Sequence, residues 1–494
     1  MTRWLTIIAV LILGVGTVTA APSQPVVVDA ARVTGAIRSM QGVNLGPLHT
    51  QPGLPDLTAQ YRDLRIDTIR AHDFFGPTDI DSHTKDRGAA LVIFPDWAAD
   101  PGQEVSYHFD PSDRMIKAII DCGAKVYFRL GRSFATDPTP PPDFTKFAEV
   151  ARHIAMHYNA GWAGGYHYGI QYWEVWNEPN VQKDWVPNKG LYLFWSGTRD
   201  QYFELYEKTA RALKAFDPKL KVGGPGLAEG ARPSPWREGF VEYCAARKVP
   251  LDFLSWHHYH SDSYDPWDMV RIGQDVRRLL DAHGLRHTES HVNEWNINLT
   301  KGKTGPQNQA SMESAAFTAC ALMYLQDAPV DLSHYYTGNA GNMGSFDTNG
   351  GYRKKAYAIK ATGSMLDTRQ RLAVSGSDTV GFAVLAGRSP DKNTVQVLIS
   401  NYGIRQPKEP PRQSAPPGSR GLERRQIRSE SPQAYALRVA HLPWGNGAFM
   451  VKRYRINDKQ DFALVEELEA KGGTLELNNP LPPPAIELII LKRN

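Results

Sequence analysis

YWEVWNEPN, residues 172–180, runs through aromatic and β-branched side chains at Tyr172, Trp173, Val175 and Trp176, then stops on an amide, a carboxylate and a proline. The first five residues have strand chemistry. Pro179 has no backbone donor and restricts the residue before it to extended conformations, so Glu178 is expected, extended, where the strand ends. A carboxylate at the exit of a buried strand carries a desolvation cost that a surface loop avoids. Pairing with a nearby Arg or Lys would explain it structurally. A functional reading needs a partner.

Working outward, seven more stretches have the same character: Gly42–Gly46, Thr68–His72, Lys125–Leu130, Lys221–Pro225, Phe253–His258, Glu289–Glu294 and Leu332–Tyr336. Between the eight candidate strands lie helical patterns. The clearest, over 198–216, puts Tyr202, Tyr206, Ala210 and Leu213 on one face and is stopped by Asp217-Pro218. Eight strands alternating with helices predict a (β/α)₈ TIM barrel, an α/β fold, over residues 41–367. The alternative is an open doubly wound sheet, but no GxGxxG or P-loop follows any strand. After Thr368 the pattern changes to strands separated by turn residues, as in TVGFAVLAG (379–387), TVQVLISNYG (394–403) and AIELIILKR (485–493). Residues 368–494 are therefore expected to form an accessory β-sandwich. Residues 21–40, with VVVDA at 26–30, are expected to lend it a strand. Within it, residues 405–432 hold six prolines, seven basic and three acidic residues, and read as a flexible insertion; a polyanion-binding role is the alternative.

A chain of 494 residues is long enough for a large barrel and a second domain. A net charge of +4 is too small to argue for nucleic acid. Twelve Trp and 21 Tyr offer flat faces that suit sugar rings as well as cores. At the start, Arg3, an apolar run from Trp4 to Val18 and small residues ending at Ala20 have the grammar of a signal peptide over residues 1–20, implying a periplasmic or secreted protein. An uncleaved anchor is the competing reading, although the run falls short of the roughly 20 residues a span requires. Cys122, Cys244 and Cys320 are odd in number and far apart, which excludes a disulfide framework. They are expected as buried free thiols, with one bridge the alternative.

The partner for Glu178 lies in ESHVNEWN, residues 289–296. Glu294 ends the seventh candidate strand as Glu178 ends the fourth. In a closed barrel the C-terminal strand ends converge on one mouth, where strands four and seven face each other. Two carboxylates opposed across a cleft are what glycosidic cleavage needs: one protonated to serve the departing oxygen, the other ionised to attack the anomeric carbon or activate water.

These motifs resemble those of glycoside hydrolase family 39. WNEPN (176–180) is similar to the family's acid/base motif and NEWN (293–296) to its nucleophile motif, with Asn293 where Thr is common and Trp295 in place of Phe. IRAH (69–72), FW (194–195), YFELYEKTARALK (202–214), VGGP (222–225) and VPLDFLSWHHY (249–259) resemble the bacterial β-xylosidase branch in order and spacing, over roughly residues 40–340. The resemblance implies Glu178 as acid/base and Glu294 as nucleophile of a retaining mechanism. It implies Asn177 as a partner of the sugar 2-hydroxyl and Tyr259 as a donor to Glu294. His257 and His72 are candidate hydroxyl binders, and Trp295, like Trp176, a candidate stacking face. His258 and His260 form an H-x-H pair, read as coincidence because no third ligand stands at strand spacing. No metal and no cofactor are expected. The leading expectation is an exo-acting β-xylosidase on short xylo-oligosaccharides. The alternatives are a glycosidase for another glycan, such as an exopolysaccharide or a uronide-containing chain, and a non-catalytic sugar binder. The expected partner is an oligosaccharide or polysaccharide, with no nucleic acid and no stable membrane insertion; oligomeric state stays open.

Overall fold

In the computed structural model the described residues are 23–81, 89–133, 138–181, 194–228, 234–260, 264–297, 310–403 and 431–494. The expected signal peptide and nearly all of the expected insertion lie outside them. The first described strand, β1 (Ser23–Ala36), belongs to the accessory sheet. The next eight form the barrel: β2 (Gly42–Asn44), β3 (Thr68–Ala71), β4 (Lys125–Leu130), β5 (Tyr172–Val175), β6 (Lys221–Leu227), β7 (Phe253–Tyr259), β8 (Glu289–Asn296) and β9 (Leu332–Tyr335). Each pairs in parallel with the next in chain order, and Gly42 of β2 meets His334 of β9 to close the ring. That closure needs glycine: a Cβ on Gly42 would stand 2.1 Å from the Ser333 carbonyl oxygen. The eight strands expected from the sequence are the eight observed.

The barrel strands are buried on both faces, outwardly against α1 (Thr58–Asp63), α2 (Asp110–Asp121), α3 (Phe144–Ala160), α4 (Arg199–Phe216), α5 (Pro235–Arg247), α6 (Asp268–Ala282), α7 (Met312–Tyr324) and α8 (Lys354–Ser364). The helix starts are written in the sequence. Thr198 and Gln201 form a capping box on α4, Asp143 caps α3, and Ser311 caps α7. α7 is unusual in being apolar all round: every residue except Glu313 is buried. The reason is position, since α7 lies between the barrel and the second sheet.

That sheet has nine strands: β1, then β10 (Gln370–Ser375), β11 (Phe382–Arg388), β12 (Thr394–Asn401), β13 (Ala434–Ala440), β14 (Ala448–Asn457), β15 (Gln460–Lys471), β16 (Leu475–Pro480) and β17 (Ala485–Arg493). It is one continuous sheet, with β15 and β16 at its edges. It bends back on itself, so that the Tyr435 hydroxyl of β13 donates to Glu487 of β17, although four strands separate the two in the order. In β11, Phe382, Val384 and Ala386 face the sheet's own core while Ala383 and Leu385 join the barrel's core. Both faces being covered, the strand reads as a continuous apolar run. Contacts to α7 include Ser400 Oγ donating to the Ala316 carbonyl at 3.0 Å and Phe317 edge-on to Tyr402. The three cysteines are free and buried. No described helix is long and apolar enough to cross a membrane.

Candidate active site

Glu178 follows β5, but not in the extended conformation that Pro179 leads one to expect. Its φ is +46° and that of Trp176 is +74°, both left-handed. The turn is held by the Glu178 amide donating to the Gly226 carbonyl at 2.9 Å and by the Val181 amide donating to the Glu178 carbonyl. These bonds override the local preference. The acceptor, Gly226, is a bulge in β6, where the register with β7 slips between Pro225 and Leu227. Gly226 has φ +62°, and its amide donates to Ser255 Oγ at 2.8 Å. A second bulge lies in β8: Trp256 pairs with Val292 but His257 with Glu294, which leaves Asn293 unpaired by β7. Strand alternation is thereby broken, and Asn293 and Glu294 both reach the interior polar cluster.

The centre of that cluster is Arg70, fully buried on β3. Its Nε donates to Glu174 Oε2 at 2.7 Å, Nη2 to Asn177 Oδ1 at 2.7 Å, and Nη1 to Asn44 Oδ1 at 3.0 Å and Glu294 Oε2 at 3.1 Å. Glu174 is buried too, and its other oxygen accepts from Ser255 Oγ and Asn293 Nδ2, both at 2.6 Å. Asn293, the departure from the family motif, is thus a partner of Glu174. A buried ion pair of this kind survives because each charge is fully engaged; removing one partner costs about 3–5 kcal/mol.

Above this base sit the two carboxylates. The Tyr259 hydroxyl donates to Glu294 Oε1. His257 Nδ1 lies 2.7 Å from Glu178 Oε1 and 3.6 Å from Glu294 Oε2. One oxygen of each glutamate and a ring nitrogen of His257 all lie within 4.8 Å of one another. Burial pushes the Glu294 carboxyl up to about 7; Glu178 adds to the rise, and His257 and Arg70 oppose it. Burial takes His257 down to about 4, so it is neutral at physiological pH. His72 is lowered as well, by burial and then by Arg70 and Arg129. Arg129 Nε donates to His72 Nδ1 at 3.1 Å, which places the ring proton on Nε2, 3.3 Å from Asp73 Oδ1 and 3.8 Å from Glu294 Oε2.

Of the residues expected from the sequence, Glu178, Glu294, Asn177, His257, Tyr259 and His72 come together. Trp295 does not. It points out of the barrel, fully buried, with Nε1 donating to Ser333 Oγ at 2.8 Å and the ring edge-on to Tyr335. Trp176 is likewise buried, packed edge-on to Trp195. Neither offers a face to a sugar. Sequence reasoning missed Arg70, Glu174, Asn44 and Asp73, whose Oδ2 accepts from the Tyr336 hydroxyl at 2.7 Å. For Arg70 a signal was present: it shares a strand face with His72 inside the quoted IRAH.

Residues 61–334 match the family model described as Glycosyl hydrolases family 39. A beta-xylosidase of Geobacillus stearothermophilus is 28% identical over 241 residues, 42% of this chain and 44% of that protein, so the alignment takes in less than half of the relative's length. The crystal structure of a glucosidase from Croceicoccus marinus superposes with a TM-score of 0.83 at 31% identity, covering 96% of this chain and 99% of that one. A GH39 enzyme from Xanthomonas axonopodis pv. citri shares the fold at 19% identity, with a TM-score of 0.70 over 98% of this chain and all of the other. With the family match spanning more than half of its length and centred on the barrel that carries Glu178 and Glu294, the chain belongs to family 39 of the glycosyl hydrolases.

Proposed function

We propose that the chain is a retaining β-glycosidase whose preferred substrate is a terminal β-xyloside. The observation that carries this is the placement of Glu178 and Glu294, with oxygens inside 4.8 Å of each other across the mouth. Retaining pairs sit about 5–5.5 Å apart, whereas inverting pairs leave roughly 6.5–9.5 Å for a water. The donors around Glu294 divide the roles. Tyr259 and Arg70 both give it hydrogen bonds, which favour the carboxylate. Glu178, whose Oε1 lies beside the neutral His257, is then the carboxyl placed to give a proton to the departing oxygen. In the first step Glu294 attacks the anomeric carbon while Glu178 protonates the departing oxygen; in the second Glu178 takes a proton from water that opens the glycosyl-enzyme. Asn177, fixed through its oxygen by Arg70, is left with its amide group to serve the sugar 2-hydroxyl.

The xylosidase preference draws on the Geobacillus relative, and a β-glucoside is the second reading because the Croceicoccus neighbour matches nearly the whole chain. Initial rates on aryl β-xyloside, β-glucoside, α-arabinoside and α-iduronide test both. A highest kcat/KM on the xyloside with retention at the anomeric carbon supports the proposal; an inverted product, or no turnover of any member, refutes it. Export is part of the same proposal, and mature protein starting near Ala21 is the expected result of N-terminal sequencing.

A further inference from the structure

Behind the catalytic strand lies a second cluster. His258 points from β7 to the side opposite His257 and Tyr259, and His260 follows two residues later, its amide donating to the Asn296 carbonyl at 3.0 Å. The two imidazoles stand edge to face with centroids 4.1 Å apart. The H-x-H pair lacked a third ligand at strand spacing. The fold brings one from the start of α6: a carboxylate oxygen of Asp268 and one nitrogen from each histidine lie within 4.8 Å of one another.

Two observations make this more than a crowded corner. His260 is 1% exposed, and neither ring nitrogen meets a partner in good hydrogen-bond geometry among the described residues, although the Asp265 backbone lies nearby. A neutral imidazole carries one N–H donor and one lone-pair acceptor, so leaving both nitrogens of a buried ring unengaged is unfavourable. Asp268 is also buried, and Arg271 Nη1 donates to its Oδ1 at 2.9 Å, the kind of outer contact that orients a ligating carboxylate.

We propose that His258, His260 and Asp268 bind a divalent cation of the zinc class, which ties the end of β7 to the start of α6. Two imidazoles and one carboxylate suit Zn²⁺, Co²⁺ or Ni²⁺ rather than Mg²⁺ or Ca²⁺, which take oxygen ligands. Ligand atoms around a tetrahedral zinc stand roughly 3.3 Å apart, so the side chains close by about 1.5 Å at most when it binds. The role is structural. His258 stands between His257, which contacts Glu178, and Tyr259, which contacts Glu294. A cation on the outer side of that strand would hold both inner contacts in register, away from the reacting sugar.

The test is a titration of the full-length protein, stripped with a chelator and dialysed, with Zn²⁺ by calorimetry and with Co²⁺ by visible absorption. The Glu178–His257–Glu294 cluster is a competing cation trap, so E294Q is run beside H260Q and D268N. The expected result is one equivalent in wild type and in E294Q, with a raised melting temperature and Co²⁺ bands of a low-symmetry N/O site. At least tenfold weaker binding is expected in H260Q and D268N. Should those two variants fail to fold, the wild-type and E294Q titrations still decide. Less than a tenth of an equivalent bound by wild type, unchanged affinity in D268N, or binding lost in E294Q alone would each overturn the assignment. None of these readouts depends on which glycoside is cleaved.

Discussion

Glu294 is surrounded by donors and Glu178 by a neutral imidazole, so their replacements should fail differently. Glu294→Ala removes the nucleophile, and turnover of every glycoside should fall by a factor on the order of 10⁴ or more. Glu178→Ala should spare the first step on an aryl glycoside with an acidic phenol but slow deglycosylation. Azide, which needs no general base, should restore turnover and yield the retained β-glycosyl azide, identified by NMR. Tyr259→Phe gives a finer test. The hydroxyl stabilises the ionised form of a carboxyl that burial already pushes up to about 7, so its loss should raise that value further. The acid limb of the kcat/KM profile, where Glu294 must be ionised, should move to higher pH by about 1 unit. A limb left in place would show that Tyr259 only packs. These residues were legible because each sits in a short motif at a strand end. Glu174 was not, although it lies within the first stretch quoted, and Arg70 had only the strand face it shares with His72 to mark it: a sequence shows a charge but not whether it faces the barrel interior. Trp295 was misread for the same reason, since its outward direction follows from the strand's alternation beyond the bulge.

At the scale of elements, the site is made by irregularities in otherwise regular strands. The eight strands could be read from composition and period, but a bulge adds one residue without changing either. The slip at Asn293 turns Glu294 inward, and the slip at Gly226 supplies the carbonyl that holds the Glu178 turn. Gly226→Ala tests this. An alanine there takes a left-handed φ, and its Cβ stands 3.2 Å from both Glu174 Oε1 and His257 Nε2. The expected loss is about 1–2 kcal/mol of stability by chemical denaturation. The loss of kcat should be larger in proportion, roughly 10²-fold, because Glu178 is displaced. Wild-type kcat in a folded G226A would show that the bulge does not set the acid.

At the scale of the whole molecule, the two ends of the stretch at 404–430 are close neighbours: a Cβ on Gly403 would lie 3.1 Å from Ser431 Oγ. Replacing that stretch by a few Gly and Ser residues should therefore leave kcat/KM and the melting temperature nearly unchanged, since closing so short a gap is easily accommodated. That the second unit is a single folded-over sheet was not legible, because strand order leaves no trace in composition. Its first strand has a further consequence. β1 pairs with β10 on one side and β13 on the other, Val27 with Ser375 and with Arg438, so the chain begins the sheet, builds the barrel, and returns to finish it. A ribosome delivers the strand first and its neighbours last, and throughout synthesis of the barrel β1 is an unpaired β-rich segment of the kind that chaperones hold. The outer side of α7 waits equally long for its cover. Nascent chains arrested at residue 367 should therefore react at Cys320 with a maleimide, whereas finished protein, in which that thiol is fully buried against the Gly381 carbonyl, should be protected.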